Sequence, residues 1–171
     1  MIRKSELVIP EFYKSYVNTI TEENLIDALH NNTNRFIALL QSIPAEKVNY
    51  AYALGKWTVK ELLQHIIDTE RVFTLRALWF ARRDDNPLPG FDENVWADNA
   101  NADQRGWTDM IDEFTSLRAA TSYMFASFND DQLAATGVAN NTIMSTATLG
   151  FVCAGHVQHH MNILNERYGL S

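Results

Sequence analysis

The chain has one cysteine, Cys153, in 171 residues, so it cannot form an internal disulfide. A lone thiol suits a reducing compartment, and a cytoplasmic location is expected. No run of lysine and arginine occurs, and 14 basic against 21 acidic residues leave a formal net charge of −7. Binding to nucleic acid needs a basic surface for phosphates, so nucleic acid is not an expected partner. No apolar run approaches the ~20 residues of a membrane span, and the opening MIRKSELVIPEFYKSYV lacks the apolar core of a signal peptide. Neither a membrane association nor an export signal is expected. Internal repeats, low-complexity tracts, Gly/Ser linkers and alternating strand patterns are also missing. With 46% hydrophobic residues, the chain is long enough to bury a sizeable core. One domain over residues 1–171 is expected, its N-terminal ~20 residues an extension.

What is present is helical. TEENLIDALHNNTNRFIALLQSI places Leu25, Leu29, Phe36, Leu40 and Ile43 at helical spacing, and Pro44 ends the run. TVKELLQHIIDTERVFTLRALWFARRD opens with Thr58 and Glu61 spaced as a capping box and continues to about Arg83. A long irregular stretch follows, with room for a short helix around Asp92 to Ala97. A loop of this length is usually functional or a crossover. TDMIDEFTSLRAATSYMFASF is a third long helix, with Ile111, Phe114, Leu117, Met124 and Phe128 on its apolar face. DDQLAATGVANN reads as a connector with one turn of helix. The fourth helix starts from a Ser145 cap and stops at Gly169. The expected class is all-α, a four-helix bundle with at least one long crossover between the second and third helices.

Three of the five histidines fall in AGHVQHHMNIL, near the end of the fourth helix. Residues on a helix advance ~100° each. With His156 at zero, Leu149 falls at about +20°, Val152 at −40°, His160 at +40° and Ile163 at −20°. His156 and His160 therefore sit within the apolar stripe, with His159 at its edge near −60°. On the second helix, Thr69 falls at about +40° from His65, Val72 at −20° and Arg76 at +20°. His65 also faces the core. His30 has no such neighbours and reads as surface.

A buried imidazole without a partner costs roughly 1–3 kcal/mol. Each ring can bond separately to a carbonyl or hydroxyl. Alternatively, an i, i+4 pair and a third imidazole from a facing helix can share one ion. Three neutral nitrogens suit zinc, nickel or iron(II) and leave a coordination position open, as catalytic sites do. A di-iron carboxylate bundle needs repeated Glu-x-x-His motifs, which this chain lacks.

The segments GKWTVKELLQHIIDTERVFTLRALWFARRDDNPLPGFDE and AGHVQHHMNILNERY resemble the DinB-like family, within the DinB/YfiT-like superfamily of metal-dependent enzymes. The resemblance covers the chain from about Leu25 onward. It implies a bundle holding a divalent metal, zinc or nickel foremost and iron as an alternative, on His65, His156 and His160. It also implies a homodimer acting on a small-molecule substrate. Characterised relatives use a low-molecular-weight thiol in S-transfer or isomerisation. The implied function is a metal-dependent thiol S-transferase or hydrolase; the alternative is a non-catalytic metal-binding stress protein. Candidate pocket residues are Asp92 and Trp96 in the long loop, with Arg76, His159 and Cys153. Cys153 lies about 60° from His156 and is expected to be a small buried hydrophobe. Arg76 is expected to pair with a loop carboxylate, the alternative being that it binds an anionic substrate end. Asp68, Glu70 and Glu93 are the remaining candidates for a general base, with Asp68 expected to be solvated or ion-paired. Trp57, Trp79 and Trp107 are expected to pack.

Overall fold

The computed structural model describes residues 2–171. In chain order its elements are α1 (Glu11–Val17), α2 (Leu25–Ser42), α3 (Val59–Ala81), α4 (Glu93–Asn99), α5 (Trp107–Ala126), α6 (Asp130–Ala134), β1 (Thr136–Ala139), β2 (Thr142–Ser145) and α7 (Thr146–Tyr168). Side-chain caps fix most starts. Asn24 Oδ1 accepts from the backbone of Ile26 and Asp27 at the head of α2. Thr58 and Glu61 close the expected capping box on α3, at 3.2 and 2.7 Å. Ser145 Oγ accepts from the Thr148 amide on α7, which Gly169 ends at φ 67°.

The four long helices α2, α3, α5 and α7 make the bundle. Helix α7 packs on α2 and α3, and α5 packs on the same two. Contacts across these seams give the directions. Gln64 meets Arg105 and Arg71 meets Glu113, so α3 and α5 run the same way. Tyr168 donates to the Trp57 carbonyl while His65 meets His156, so α3 and α7 run oppositely. Arg35 meets Gln158, and Leu25 lies against Gly150, so α2 and α7 are parallel. Two parallel neighbours joined in sequence require a crossover, and residues 82–106 supply it as the spacing predicts. Among the described residues no helix is long and apolar enough to cross a membrane.

Two features depart from the sequence reading. The connector before α7 holds a two-stranded antiparallel hairpin, with Val138 opposite Ile143. Its turn is Asn140-Asn141, both at positive φ (48° and 57°), the signature of a two-residue primed turn. Leu88 of the crossover bridges to this hairpin through hydrogen bonds to Val138 and Asn140. The N-terminal residues also do more than extend the chain. Tyr13, Val17 and Ile20 are buried, and α1 packs along α7.

That contact depends on Gly155. A Cβ there would lie 2.4 Å from the Tyr16 carbonyl oxygen, a backbone atom that cannot rotate away. Gly155→Ala is expected to push α1 off α7 at a cost of about 1–3 kcal/mol. For a chain of this length that lowers Tm by roughly 2–4 °C per kcal/mol. A calorimetric Tm equal to wild type would show that α1 does not need this close approach.

Candidate metal centre

His65 projects from α3, and His156 and His160 from successive turns of α7. Because those helices are antiparallel neighbours, the three rings meet in the bundle interior. One ligand-capable atom from each lies within 4.8 Å of the other two. The Nε2 of His156 is 3.1 Å from that of His65 and 3.0 Å from that of His160. His156 and His160 are 4% and 7% exposed, so water does not bathe their rings.

Hydrogen bonds alone serve this arrangement poorly. A neutral Nε2 carries either one proton or one lone pair. If His156 Nε2 accepts, two donors crowd one lone pair; if it donates, only one neighbour is served. A cation accepts all three lone pairs at once. At a metal–nitrogen length of about 2.0–2.1 Å, tetrahedral ligands stand roughly 3.3–3.4 Å apart, close to the spacings found. The triad therefore fits a divalent ion with one side left open. Thr69 Oγ1, at 3.4 Å from His65 Nδ1, is placed to orient that ring.

Electrostatics keep the rings in the ligating form. Burial, with a smaller contribution from His159, lowers the His65 pKa to about 4. Burial and the neighbouring imidazoles hold His156 and His160 well below the usual histidine range. Neutral imidazole is the form that binds metal.

The open side of the triad faces a cavity of about 280 Å³. His65, Thr69, Phe73 and Arg76 form one stripe of α3 along it, and Tyr13, Tyr16 and Trp57 face that stripe. The Trp57 ring centroid is 4.7 Å from that of His65. Trp57 therefore lines the site as well as packing, whereas Trp79 donates to the Asn86 carbonyl. Arg76 is 3% exposed and donates to the Pro89 carbonyl at 2.8 Å rather than to a loop carboxylate.

Several sequence candidates lie elsewhere. Asp92 caps α4, accepting from the Asn94 and Val95 amides, and its neighbours Phe91 and Glu93 line the cavity instead. Trp96 is 42% exposed and stacks near Phe91 outside the cavity. Cys153 is buried away from the triad group, and burial raises its thiol well above the usual range. His159 is half-buried, its ring centroid 5.0 Å from that of Tyr16 and 5.1 Å from that of His160. Asp68 accepts from Gln64 at 2.9 Å and lies 3.6 Å from Arg71. Glu70 lies behind the site, ion-paired with Arg118 at 2.6 Å, so it is no general base here. His30 is exposed, as its lack of apolar neighbours predicts.

The α1 aromatics were outside the sequence expectation. Their signal is EFYKSY, which puts rings at positions 12, 13 and 16, on one side of a short helix.

Residues 28–164 match the DinB superfamily. A protein of Bacillus mycoides named "Putative metal-dependent hydrolase" is 26% identical over 88 residues, covering 49% of this chain and 50% of that protein. One of the same name from Geobacillus thermodenitrificans is 30% identical over 92 residues, covering 54% of this chain and 47% of the other. The chain spans about half the length of these curated relatives. The structure of YfiT from Bacillus subtilis superposes with a TM-score of 0.72 at 16% identity, covering 86% of this chain and 87% of that one. YfiT is described as "a probable metal-dependent hydrolase with an unusual four-helix bundle topology". At that identity the likeness carries the fold alone.

Proposed function

The chain belongs to the DinB superfamily, and from that premise we propose that it is a metal-dependent enzyme acting on a small molecule, a hydrolase in the first instance. The observation that carries the reading is the convergence of three Nε2 atoms at the floor of a cavity, with no carboxylate among the described residues closing the group. A structural site is closed by four protein ligands, whereas three leave room for a reactant. A bound divalent ion supplies Lewis acidity on that open side. Zinc, nickel and iron(II) all suit the donors. The same vacancy suits a low-molecular-weight thiol, which makes S-transfer the second reading.

The protein's own groups do the rest. Trp57, Tyr16 and Phe73 wall the triad with apolar surface and limit water. Thr69 steadies His65. The cavity volume fits a small molecule, and the net charge of −7 does not favour nucleic acid.

Metal analysis by mass spectrometry of protein purified without a His tag tests the reading. One equivalent per chain is expected, removable by chelator and restored by zinc or nickel. The loaded protein should then cleave esters or amides in a chromogenic panel, or transfer an added thiol to electrophiles. Protein that takes up no metal under any loading condition would refute the proposal.

A further inference from the structure

Arg76 is a buried cation with no counter-ion among the described residues. Its guanidinium donates to the neutral Pro89 carbonyl, and its charge faces the Tyr13 hydroxyl. Its Nε is buried with no hydrogen-bond partner. No ion pair among the described residues includes it. The other buried arginine, Arg118, shows the contrast, since it is matched by Glu70 at 2.6 Å. Glu93 lines the same cavity but lies on its exposed side and makes no ion pair with Arg76. A buried charge left uncompensated is costly and is normally paired. Arg76 lines the cavity that the triad faces, so the missing partner has space to enter.

Position along α3 sets the shape of that partner. His65 and Arg76 are eleven residues apart, a rise of about 16 Å. Both residues nevertheless line one cavity of about 280 Å³, so a single small molecule can lie between the triad and the guanidinium. Between them the stripe carries Phe73, with Tyr13 and Tyr16 opposite. The cavity thus has a metal-ligating end, an apolar middle and a cationic end.

We propose that the substrate is a short amphipathic carboxylate: its reactive group lies at the imidazole triad, its apolar part lies against Phe73, and its carboxylate is held by Arg76. The inference rests on the proposed activity for the reacting end only; the anion subsite stands on Arg76 itself.

The first test uses metal-free, untagged protein. Hexanoate and, separately, hexanamide are titrated while the Arg76 Nε–Hε NMR cross-peak is followed. Hexanoate is expected to shift that peak saturably and to bind about tenfold or more tightly than hexanamide. Arg76→Met should erase the preference and Arg76→Lys should keep part of it. If Arg76→Met does not fold, the wild-type cross-peak and Arg76→Lys decide. In a second arm, zinc-loaded protein is titrated calorimetrically with suberic monohydroxamate and with octanohydroxamate. Both offer a hydroxamate to the metal, but only the first carries a distal carboxylate. Tighter binding of the first, lost in Arg76→Met with zinc content retained, supports the full span. Equal binding of hexanoate and hexanamide by wild type overturns the proposal whatever the metal does. If zinc fails to load while hexanoate still shifts Arg76, the metal reading falls and the anion subsite is supported.

Discussion

Arg118→Met is expected to destabilise the protein by about 3–5 kcal/mol, a fall in Tm of roughly 6–20 °C at this chain length. Arg118 and Glu70 are 1% and 2% exposed, and they lie 2.6 Å apart. Thr121 donates to the other Glu70 oxygen at 2.7 Å, and Arg118 reaches the Cys153 carbonyl at 3.4 Å. The pair therefore ties α3, α5 and α7 together one turn before His156. Removing the guanidinium strands a carboxylate in the core with one hydroxyl for company, and that uncompensated charge dominates the loss. Removing both charges has a different outcome. Glu70→Leu with Arg118→Met takes away the penalty along with the attraction, and such replacements are often neutral or stabilising. The double variant should recover most of the stability lost by the single one. Urea denaturation of wild type, both single variants and the double variant measures this. Additive losses would mean that the two residues act independently, contrary to their contact.

Much of this was legible from residue spacing, and the reasons are local. Helix α3 carries a capping box and a periodic apolar stripe, so its start and facing direction follow from residues within a few turns. The same stripe arithmetic puts His65, Thr69 and Arg76 together, as found. It also argues against Glu70, which falls about 140° from His65 and faces Arg118 instead. The hairpin was harder, because strands of four residues are too short to show a clear alternation. Its one local signal is the Asn140-Asn141 pair. The crossover shows why loop residues are read less well. Asp92 and Glu93 are alike in chemistry, but Asp92 is occupied by the α4 cap while Glu93 reaches the cavity. Which of the two turns inward depends on Leu88 docking to the hairpin, a contact between segments about fifty residues apart. The α1 aromatics pose the same difficulty, since a seven-residue helix finds its place only once α7 offers Gly155.

His156→Ala is expected to abolish stoichiometric metal binding while leaving the fold intact. His156 is the hub of the triad, the ring whose Nε2 lies within 3.1 Å of both others. Without it only two ligands remain, His65 from α3 and His160 from α7. Loss of even an outer-shell partner typically costs 10–100-fold in affinity, and loss of a direct ligand costs more. The metal-free protein supplies a second readout. All three rings have pKa values below the 6.5 of an ordinary histidine, with burial as the main cause. A group whose folded pKa is depressed binds protons preferentially in the unfolded chain below its unfolded value. Metal-free wild type should therefore hold its stability above about pH 6.5 and lose it as pH falls toward about 4, the value reached by His65. His156→Ala removes one of these depressed groups, so its acid-side loss should be shallower. Metal content by mass spectrometry and urea midpoints between pH 7 and about 4 check both statements. A variant that retains a full equivalent of metal would place the ion elsewhere. An unchanged acid limb would mean that the triad is not what titrates, because proton and metal compete for the same three nitrogens.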